Sequence, residues 1–243
     1  MNIVLVGPGR AGHALRDRAI AYGHAARLVR DPAAADDADV VLLTVPDRAV
    51  AEVAAGLEPT QWVGHVSGAT PLAALGPSPR RFVLHPAMSM ERDGGAAQLD
   101  GVSAFTTGAD EEAAAFAAGL AEALGLRAVP LDEAVRPLPH VACVFASNYL
   151  VTLLATACRI LDVDDAPRIL APLARRALDN AIAQGADMRP TGPVARGDAS
   201  TIAAHLTALG RLEPAVTDLY VALARATLPI VDAAAARRVE ALL

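Results

Sequence analysis

The segment Gly7–Gly12 limits what this chain can fold into more than any other feature of its sequence. It reads G-P-G-R-A-G, directly after an apolar strand predicted over Asn2–Val6 and at the start of a helix predicted over Arg10–Tyr22. In such a turn the first glycine permits the tight bend, the second lets a pyrophosphate approach the backbone, and the third lets the helix pack on the strand. A glycine turn without a ligand is the alternative. The predicted dinucleotide contacts here are Gly7, Gly9, Arg10, Ala11 and Gly12.

Short β-branched runs alternate with helical segments up to about residue 132, which predicts a doubly wound, mostly parallel sheet. The clearest run is Asp39–Val45 (DVVLLTV), a continuous apolar stretch typical of a parallel strand covered on both faces. Beyond Leu131 only helical patterns occur, separated by loops rich in Gly and Pro. We therefore predict an α/β fold with a Rossmann domain over residues 1–132 and an all-helical substrate-binding and dimerisation domain over residues 133–243.

The residues after the second and third strands bear on the identity of the dinucleotide. If Arg30 faces the adenine ribose, its guanidinium pairs with a 2′-phosphate and the cofactor is NADP(H). If the register differs by one residue, Asp31 binds the ribose hydroxyls instead and favours NAD. We expect NADP(H), with Val45 and Pro46 lining the cofactor at the end of the third strand.

Composition excludes several classes of function. The net charge of −6 disfavours a nucleic-acid partner, since such proteins usually carry a basic patch. All 21 basic residues are arginine, so no step can use a catalytic lysine. The six histidines are scattered and neither C-x-x-C nor H-E-x-x-H occurs, so no metal site is expected. Cys143 and Cys158 lie too far apart on one predicted helix to form a disulfide, which fits a cytoplasmic protein.

The uncharged stretch Val141–Cys158 is long enough to raise the question of a membrane span. Ser147, Asn148 and two threonines interrupt it, and no second such stretch follows. We therefore expect a buried helix of a protein core and no membrane partner.

Six segments carry a family resemblance: GPGRAG (7–12), DVVLLTVPD (39–47), HVSGA (65–69), LHP (84–86), PHVACVFASNYLVTL (139–153) and TGPVARGDASTIAAHL (191–206). Together they resemble a bacterial family with a Rossmann-like domain followed by a C-terminal domain of unknown function. That family is similar to the 6-phosphogluconate dehydrogenase-like superfamily. The resemblance implies an NADP-dependent oxidoreductase related to ketopantoate and pyrroline-5-carboxylate reductases, with a helical second domain that often builds a dimer and closes the active site.

The segment TGPVARGDAST (191–201) resembles the loop-to-helix turn by which pyrroline-5-carboxylate reductases hold a substrate carboxylate. Free amides and hydroxyls at the start of a helix suit an anion, and Arg196 adds positive charge. An ordinary helix cap formed by Asp198 or Ser200 is the alternative. The predicted substrate contacts are Thr191, Arg196, Gly197, Asp198, Ser200 and Thr201.

His140 and Asn148 are polar residues in an otherwise apolar helix predicted over Pro139–Leu161. Residues 140, 144 and 148 step by four and would share one stripe of an α-helix. Hydride reduction of a carbonyl leaves an alkoxide that must be protonated, and histidine suits the general acid. We expect His140 to be the acid, Asn148 to orient the substrate carbonyl, and Ser67 to assist and to line the cofactor. Helix capping by His140 and a backbone bond from Asn148 are the alternatives, and the reserve proton donors are Asp47, His85 and Asp198.

These expectations combine into an NADPH-dependent reductase of a small carboxylate that bears a C=O or C=N group, with ketopantoate as the best single substrate. Ketopantoate reductases place a lysine one turn before the equivalent asparagine, where this chain has Val144, so another proton donor must serve. An imino-acid (pyrroline-5-carboxylate-like) reductase, a deazaflavin as second redox partner, and a non-catalytic NADP-binding sensor or scaffold stay open. The very apolar helical half predicts a homodimer.

Overall fold

A computed structural model describes residues 1–58 and 60–243, which divide into two compact units, Met1–Asn148 and Tyr149–Leu243. The first unit contains the strands β1 (Asn2–Val6), β2 (Ala25–Val29), β3 (Val40–Leu43), β4 (Trp62–His65), β5 (Arg81–Pro86), β6 (Ser103–Gly108) and β7 (Arg127–Pro130). They form one sheet in the order β2-β1-β3-β4-β5-β6-β7. The strands β1 to β5 are parallel, β6 runs antiparallel to β5, and β7 is parallel to β6. The predicted α/β fold with a mostly parallel sheet is confirmed.

The central strands are buried on both faces of the sheet. Residues 3–6 of β1 are fully buried, and residues 40–43 of β3 are at most 1% exposed. Successive side chains of a strand point to opposite faces, so Ile3 and Leu5 belong to the apolar cluster on one face and Val4 and Val6 to the cluster on the other. Because β1 to β5 are parallel, their carboxyl ends all reach the same edge of the sheet, which positions the site described below.

The helices of the first unit are α1 (Arg10–Ala21), α2 (Val50–Ala54), α3 (Glu111–Ala123) and α4 (Pro137–Val144). The helices α1 and α3 contribute to the same apolar cluster, whereas α2 packs into the other one. The carboxylate of Asp110 caps α3 by accepting a hydrogen bond from the amide of Ala113 at 2.8 Å. The sequence did not predict α2, because five residues are too few for a helical period to be recognised.

The helix predicted over Pro139–Leu161 is not a continuous α-helix. A π-turn at Phe145–Tyr149 separates α4 from α5 (Leu150–Leu161). A π-turn closes its hydrogen bonds over five residues instead of four, so it accommodates one extra residue. The step from residue 144 to Asn148 therefore passes through a π-turn, and the regular α-helical spacing predicted for residues 140, 144 and 148 holds only up to residue 144.

The second unit is helical, with no strand among its residues 149–243. Its helices are α5, α6 (Ala166–Ala183), α7 (Pro193–Arg196), α8 (Ala199–Leu209), α9 (Pro214–Thr227) and α10 (Ala233–Glu240). The division between the units falls after α4, whereas the sequence placed it between residues 132 and 133. One reason is that Arg136, immediately before α4, donates hydrogen bonds to carbonyl oxygens of the first unit at residues 67 and 70.

One helix in the described part of the chain, Glu133–Leu161, is long and apolar enough to cross a membrane, as judged by length and composition alone. Only 6% of its most apolar window is buried, so the expectation of a buried core helix is wrong for the single chain. Leu138, Phe145 and Val151 are 71%, 65% and 68% exposed, respectively. An exposed apolar surface of this kind marks an interaction site.

Candidate active site

Two glycines of the Gly7–Gly12 turn are required by packing inside the protein. Gly7 has φ +117°, and a Cβ on it would lie 2.8 Å from backbone atoms of Thr44 and Val45. A Cβ on Gly12 would lie 2.2 Å from the carbonyl oxygen of Gly7. The hydroxyl of Thr44 donates to the carbonyl oxygens of Gly7 (2.7 Å) and Val6 (3.1 Å), which ties the turn to the end of β3. Val45 therefore lies directly against the glycine turn.

Nothing inside the protein requires the glycine at position 9. Gly9 has φ −83°, and a Cβ on it would meet only the carbonyl oxygen of Thr44, at 3.7 Å. It precedes α1, which has neither a side-chain cap nor an acidic residue in its first turn. The space beside Gly9 and the uncapped amides of α1 fit a phosphate-bearing ligand that approaches the backbone closely.

Two exposed arginines lie at the same edge of the sheet. Arg10 begins α1 and Arg30 follows β2, and neither side chain has a hydrogen-bond or ion-pair partner within residues 1–58 and 60–243. Asp31, by contrast, caps the short 3₁₀ helix Pro32–Ala35 by accepting from the amide of Ala33 at 3.0 Å. Asp31 thus has a hydrogen-bond role within the protein, whereas Arg30 has none among the described residues.

The carboxyl ends of β4 and β5 bring Ser67 and His85 to this edge as well. The Oγ of Ser67 accepts hydrogen bonds from the amides of Ala69 (3.2 Å) and Thr70 (2.9 Å). Its own hydroxyl proton has no acceptor in the described part of the chain. In β5, Nδ1 of His85 lies 2.8 Å from the carbonyl oxygen of Val66. Ser67 can therefore still donate to a ligand, while His85 is anchored to the adjacent strand.

Helix α4 brings His140 to the same place. A Cβ on the buried Gly68 would lie 2.3 Å from Nδ1 of His140 and 2.8 Å from Nε2 of His85. The centroids of the two imidazoles are 5.6 Å apart and their planes are inclined by 71°. The Nδ1 of His140 is buried and has no hydrogen-bond partner among the described residues. The absence of a side chain at Gly68 is what lets both rings approach.

An ion pair that sequence analysis missed, Glu133–Arg136, holds the loop that carries Ser67. The Nε of Arg136 donates to the carboxylate of Glu133 at 2.7 Å, and its remaining nitrogens donate to the carbonyl oxygens of Ser67 (3.3 Å) and Thr70. The other carboxylate oxygen of Glu133 accepts from the amide of Leu72 at 2.8 Å. The spacing of three residues signals the pair, but nothing in the sequence signals the loop it anchors.

Two histidines next to this loop have lowered pKa values. His65 is fully buried, and neither of its ring nitrogens lies in hydrogen-bond geometry with a described residue. Burial, with the positive charge of Arg136 as the next cause, lowers the pKa of His65 to about 4. Burial likewise lowers the pKa of His85. His85 is thus poorly suited to be the acid itself.

Asn148 and His140 are separated by about two helical turns, and Asn148 lies in the π-turn. Its side-chain oxygen accepts from the hydroxyl of Ser147 at 2.9 Å. The structure thus brings Ser67, His85 and His140 together, while Asn148 lies further along the helix. Within residues 1–58 and 60–243 there is no group of three or more His, Cys, Asp or Glu side chains that could hold a metal ion.

In the second unit, the predicted carboxylate-binding groups are largely used by a helix cap. Asp198 precedes α8, and its carboxylate accepts from the amide (3.1 Å) and hydroxyl (2.7 Å) of Thr201 and from the hydroxyl of Ser200 (2.9 Å). These bonds lower the pKa of Asp198 to about 2. For Asp198, Ser200 and Thr201 the structure therefore favours the capping alternative over substrate binding, because the donors already serve an internal carboxylate. Thr191 and Arg196 are exposed.

Gly197 also has an internal role. It ends α7 with φ +66°, and a Cβ on it would lie 2.6 Å from the guanidinium of Arg238. The Nε of Arg238 donates to the carbonyl oxygen of Gly197 at 3.3 Å. A glycine is therefore required at this position by the backbone and by packing, whatever the ligand.

A parallel sheet whose first strand ends in this glycine turn defines the first unit as a Rossmann-type dinucleotide-binding fold. Residues 102–227 match the family described as a domain of unknown function (DUF2520), and the chain belongs to this family. The family resemblance drawn from the sequence motifs is thereby confirmed. None of the curated proteins compared with the sequence matches it.

Solved structures share the fold over nearly the whole chain. A protein from Bacteroides fragilis, provisionally assigned as an NADP oxidoreductase, is 23% identical with a TM-score of 0.77, over 93% of this chain and 97% of that one. A reductive aminase from Aspergillus terreus, solved with NADPH and ethyl-5-oxohexanoate, is 16% identical with a TM-score of 0.64, over 94% and 93%. The pyrroline carboxylate reductase of Plasmodium falciparum, solved with NADP, is 9% identical with a TM-score of 0.60, over 99% and 97%. At these identities the likeness shows the fold.

Proposed function

We propose that this protein is an NADPH-dependent reductase of a small carboxylate that bears a C=O or C=N group. The observation that carries the proposal is the convergence of Ser67, His85 and His140 at the sheet edge where the glycine turn also lies. When bound, NADPH supplies a hydride. The residues that would hold it are Gly7, Gly9, Arg10, Ala11 and Gly12 of the turn, together with Arg30, Val45, Pro46 and Ser67.

His140 is the proposed proton donor. A carbonyl oxygen that gains electrons during reduction must take up a proton, and this chain has no lysine to give one. Only Nδ1 of the His140 ring is buried without a partner, which leaves Nε2 for the substrate. Ser67, whose hydroxyl proton is uncommitted, would hydrogen-bond the same oxygen. Asn148 keeps its proposed role of orienting the carbonyl.

A 2-oxo acid such as ketopantoate is the proposed substrate, and a cyclic imino acid is the second candidate. The second candidate is supported by the fold shared with a pyrroline carboxylate reductase and a reductive aminase. Recognition of the carboxylate by Thr191, Arg196 and Gly197 is proposed from the sequence resemblance alone. Replacing Arg196 by alanine should raise KM for carboxylate substrates and leave Kd for NADPH unchanged.

The cofactor assignment is tested by titrating NADPH and NADH into the purified protein and its Arg30→Ala variant, followed by nucleotide fluorescence. We expect the variant to bind NADPH roughly 10- to 150-fold more weakly, the loss of one hydrogen bond to a charged group, and NADH as before. Arg211→Ala, an exposed arginine of the second unit, is the matched control. If Arg30→Ala weakened the binding of NADPH and NADH equally, or if the unmodified protein bound NADH more tightly, we would assign the ribose contact to Asp31 instead.

The reaction is tested by the loss of NADPH absorbance with panels of 2-oxo acids and cyclic imino acids. His140→Ala should bind NADPH normally and lose roughly 10²- to 10⁴-fold in kcat. His24, whose ring bonds the carbonyl of Ala123 at 3.1 Å, provides the control substitution His24→Ala. Unchanged turnover in His140→Ala would remove His140 from the mechanism. NADPH binding with no turnover of any substrate would instead favour the non-catalytic sensor or scaffold.

We also propose a homodimer formed through the exposed apolar faces of α5 and α6. Val151, Leu173 and Ile182 are 68%, 68% and 64% exposed, so each chain offers the same uncovered apolar surface. A face of this kind can pair with its own copy about a twofold axis. Arg175 and Arg176 lie on α6 and are exposed, and their charge disfavours a bilayer interior as the cover.

Light scattering measures the assembly directly. A dimer has twice the mass of the 24.9 kDa chain, and Leu173→Asp should convert it to a monomer while Arg211→Ala leaves it intact. A monomeric unmodified protein that floats with phosphatidylcholine vesicles would overturn the dimer in favour of a membrane contact. A monomer that does not bind vesicles would also refute the proposed interface.

A further inference from the structure

His85 is the member of the histidine cluster to which the proposed function assigns no role. Its ring lies in β5 and stacks on Phe105 of β6 with 6.2 Å between the ring centroids. The Nδ1 of His140 and the Nε2 of His85 lie 2.3 Å and 2.8 Å, respectively, from the position that a Cβ on Gly68 would occupy. The two nitrogens are therefore within about 5 Å of each other beside a glycine that has no side chain.

The hydrogen bond to β4 fixes which nitrogen of His85 carries the proton. The carbonyl oxygen of Val66, 2.8 Å from Nδ1, can only accept, so Nδ1 is protonated and Nε2 holds a lone pair. The charged or titratable groups that act on this ring are His140 and Arg136, which lower its pKa, and Asp47, which raises it; burial outweighs all three. His85 is thus a neutral acceptor aimed at His140.

His140 supplies the matching donor. Its Nδ1 is buried without a partner, and a carbon atom beside Gly68 would already lie 2.3 Å away, so no water fits at that point. Hydrogen bonds between catalytic groups are often long before substrate binds and shorten in the complex. We infer that His85 is a positioning residue, whose Nε2 accepts the Nδ1 proton of His140 and so directs Nε2 of His140 toward the substrate.

The consequence for catalysis rests on the proposed reductase function. In the reduction, the carbonyl carbon receives a hydride, the C=O electron pair moves to oxygen, and the His140 imidazolium gives its Nε2 proton to that oxygen. His140 is left neutral with its remaining proton on Nδ1, which is the form that His85 accepts from. Solvent then returns a proton to Nε2. One hydride and one proton have been added to the carbonyl group.

The test reads the tautomer of His140 directly, without substrate or cofactor. Two-bond ¹H–¹⁵N correlation spectra of the full chain labelled with ¹⁵N-histidine distinguish the two neutral tautomers, and the His140 signals are those lost in His140→Asn. We expect the Nδ1–H tautomer in the unmodified protein. His85→Asn retains the donor to Val66 but has no acceptor at the Nε2 position, and should shift His140 to the Nε2–H tautomer. His85→Gln, which can place an oxygen at that position, should restore the original tautomer.

Turnover provides the second readout. In His85→Asn we expect kcat to fall roughly tenfold, the value of about one charge-assisted hydrogen bond, with KM unchanged and with recovery in His85→Gln. If His85→Asn fails to fold, Gly68→Ala separates the rings with a methyl group, and Gly119→Ala, which meets nothing within 4 Å, is its control.

An Nε2–H tautomer of His140 in the unmodified protein, or a tautomer unchanged by His85→Asn and Gly68→Ala, would overturn the inference and leave the reductase proposal standing. The expected tautomers without reduction of any oxo or imino acid would support the histidine pairing and refute the reductase.

Discussion

The two glycines Gly9 and Gly12 of the dinucleotide turn should respond in opposite ways to the same added methyl group. A Cβ on Gly12 would lie 2.2 Å from the backbone oxygen of Gly7 and 2.9 Å from the hydroxyl oxygen of Thr44. A Cβ on Gly9 would lie 3.7 Å from its nearest neighbour, the carbonyl oxygen of Thr44. Gly12→Ala should therefore lower the stability of the protein, whereas Gly9→Ala should mainly weaken the binding of a ligand that approaches the backbone.

The magnitudes follow from these contacts. Overpacking of a core costs about 1–3 kcal/mol, so Gly12→Ala should lower the free energy of unfolding by that amount and the melting temperature by several degrees. Gly9 has φ −83°, which alanine adopts without strain, but it is also the N-cap of α1, where alanine is less favourable than glycine. The two effects oppose each other, so Gly9→Ala should change the free energy of unfolding by less than about 1 kcal/mol. In Gly9→Ala the added methyl group would instead overpack the complex with the nucleotide. This should raise the Kd for the nucleotide roughly 5- to 150-fold.

The assay is thermal denaturation of both variants with and without nucleotide, combined with fluorescence titration of NADPH and NADH. Gly9→Ala should weaken both nucleotides alike, because they share the pyrophosphate, and this separates it from Arg30→Ala, which should weaken NADPH alone. A Gly9→Ala protein that binds NADPH as tightly as the unmodified protein would refute the placement of the pyrophosphate beside Gly9. A Gly12→Ala protein with unchanged stability would refute the packing argument.

Four further substitutions test the electrostatics and the anchoring of the site. The pKa of His65 is lowered to about 4, so below about pH 6.5 the unfolded chain binds a proton at this residue while the native state does not. The free energy of unfolding should therefore fall by on the order of 3 kcal/mol between pH 6.5 and pH 4. His65→Leu should abolish most of this loss, as measured by urea unfolding at pH 7 and pH 4.5. The pKa of Asp198 is lowered to about 2, so its ionised carboxylate stabilises the fold fully above about pH 4 and loses this effect as the pH falls through 2. The melting temperatures of Asp198→Ala and of the unmodified protein should therefore differ at pH 7 and converge near pH 2. Arg136→Gln should lower the free energy of unfolding in urea by about 2 kcal/mol, because it leaves two loop carbonyls without a donor. Glu133→Gln should lower it by less, because the Glu133 side chain is 41% exposed.

Most of the fold could be predicted because its signals are local. Runs such as Val40–Leu43 are apolar at every position, and each is bounded by a breaker or a cap, so the strands and the switch to helices are visible in the sequence. The antiparallel direction of β6 could not be predicted, since periodicity carries no information on strand direction. The exposure of Val151 and Leu173 could not be predicted either. An apolar helix that is exposed in the single chain has the same composition as one that is buried in a core.

The candidate site could be predicted from the sequence only for the residues that lie at the ends of strands. Ser67 and His85 follow or end neighbouring parallel strands, so the topology alone places them at one edge. The approach of His140 to Gly68 depends on how α4 packs, which no spacing in the sequence encodes. At Asp198, Ser200 and Thr201 the structure shows the helix cap that the sequence left open as the alternative, and the role of these residues in substrate binding stays a prediction.

In the proposed reduction, a chain without lysine needs another proton donor, and we propose that a histidine supplies it. His65 is fully buried, and burial lowers the pKa of both His65 and His85, which makes these two the weaker candidates for the proton donor. His85 and His140 are both half-buried, but only His140 has a buried ring nitrogen without a partner among the described residues, beside Nε2 of His85. In the inferred pairing, the lone pair on Nε2 of His85 accepts the Nδ1 proton of His140, so the two rings do not compete for one proton. The hydrogen bond from His85 to Val66 is therefore the contact on which the inferred histidine pairing depends.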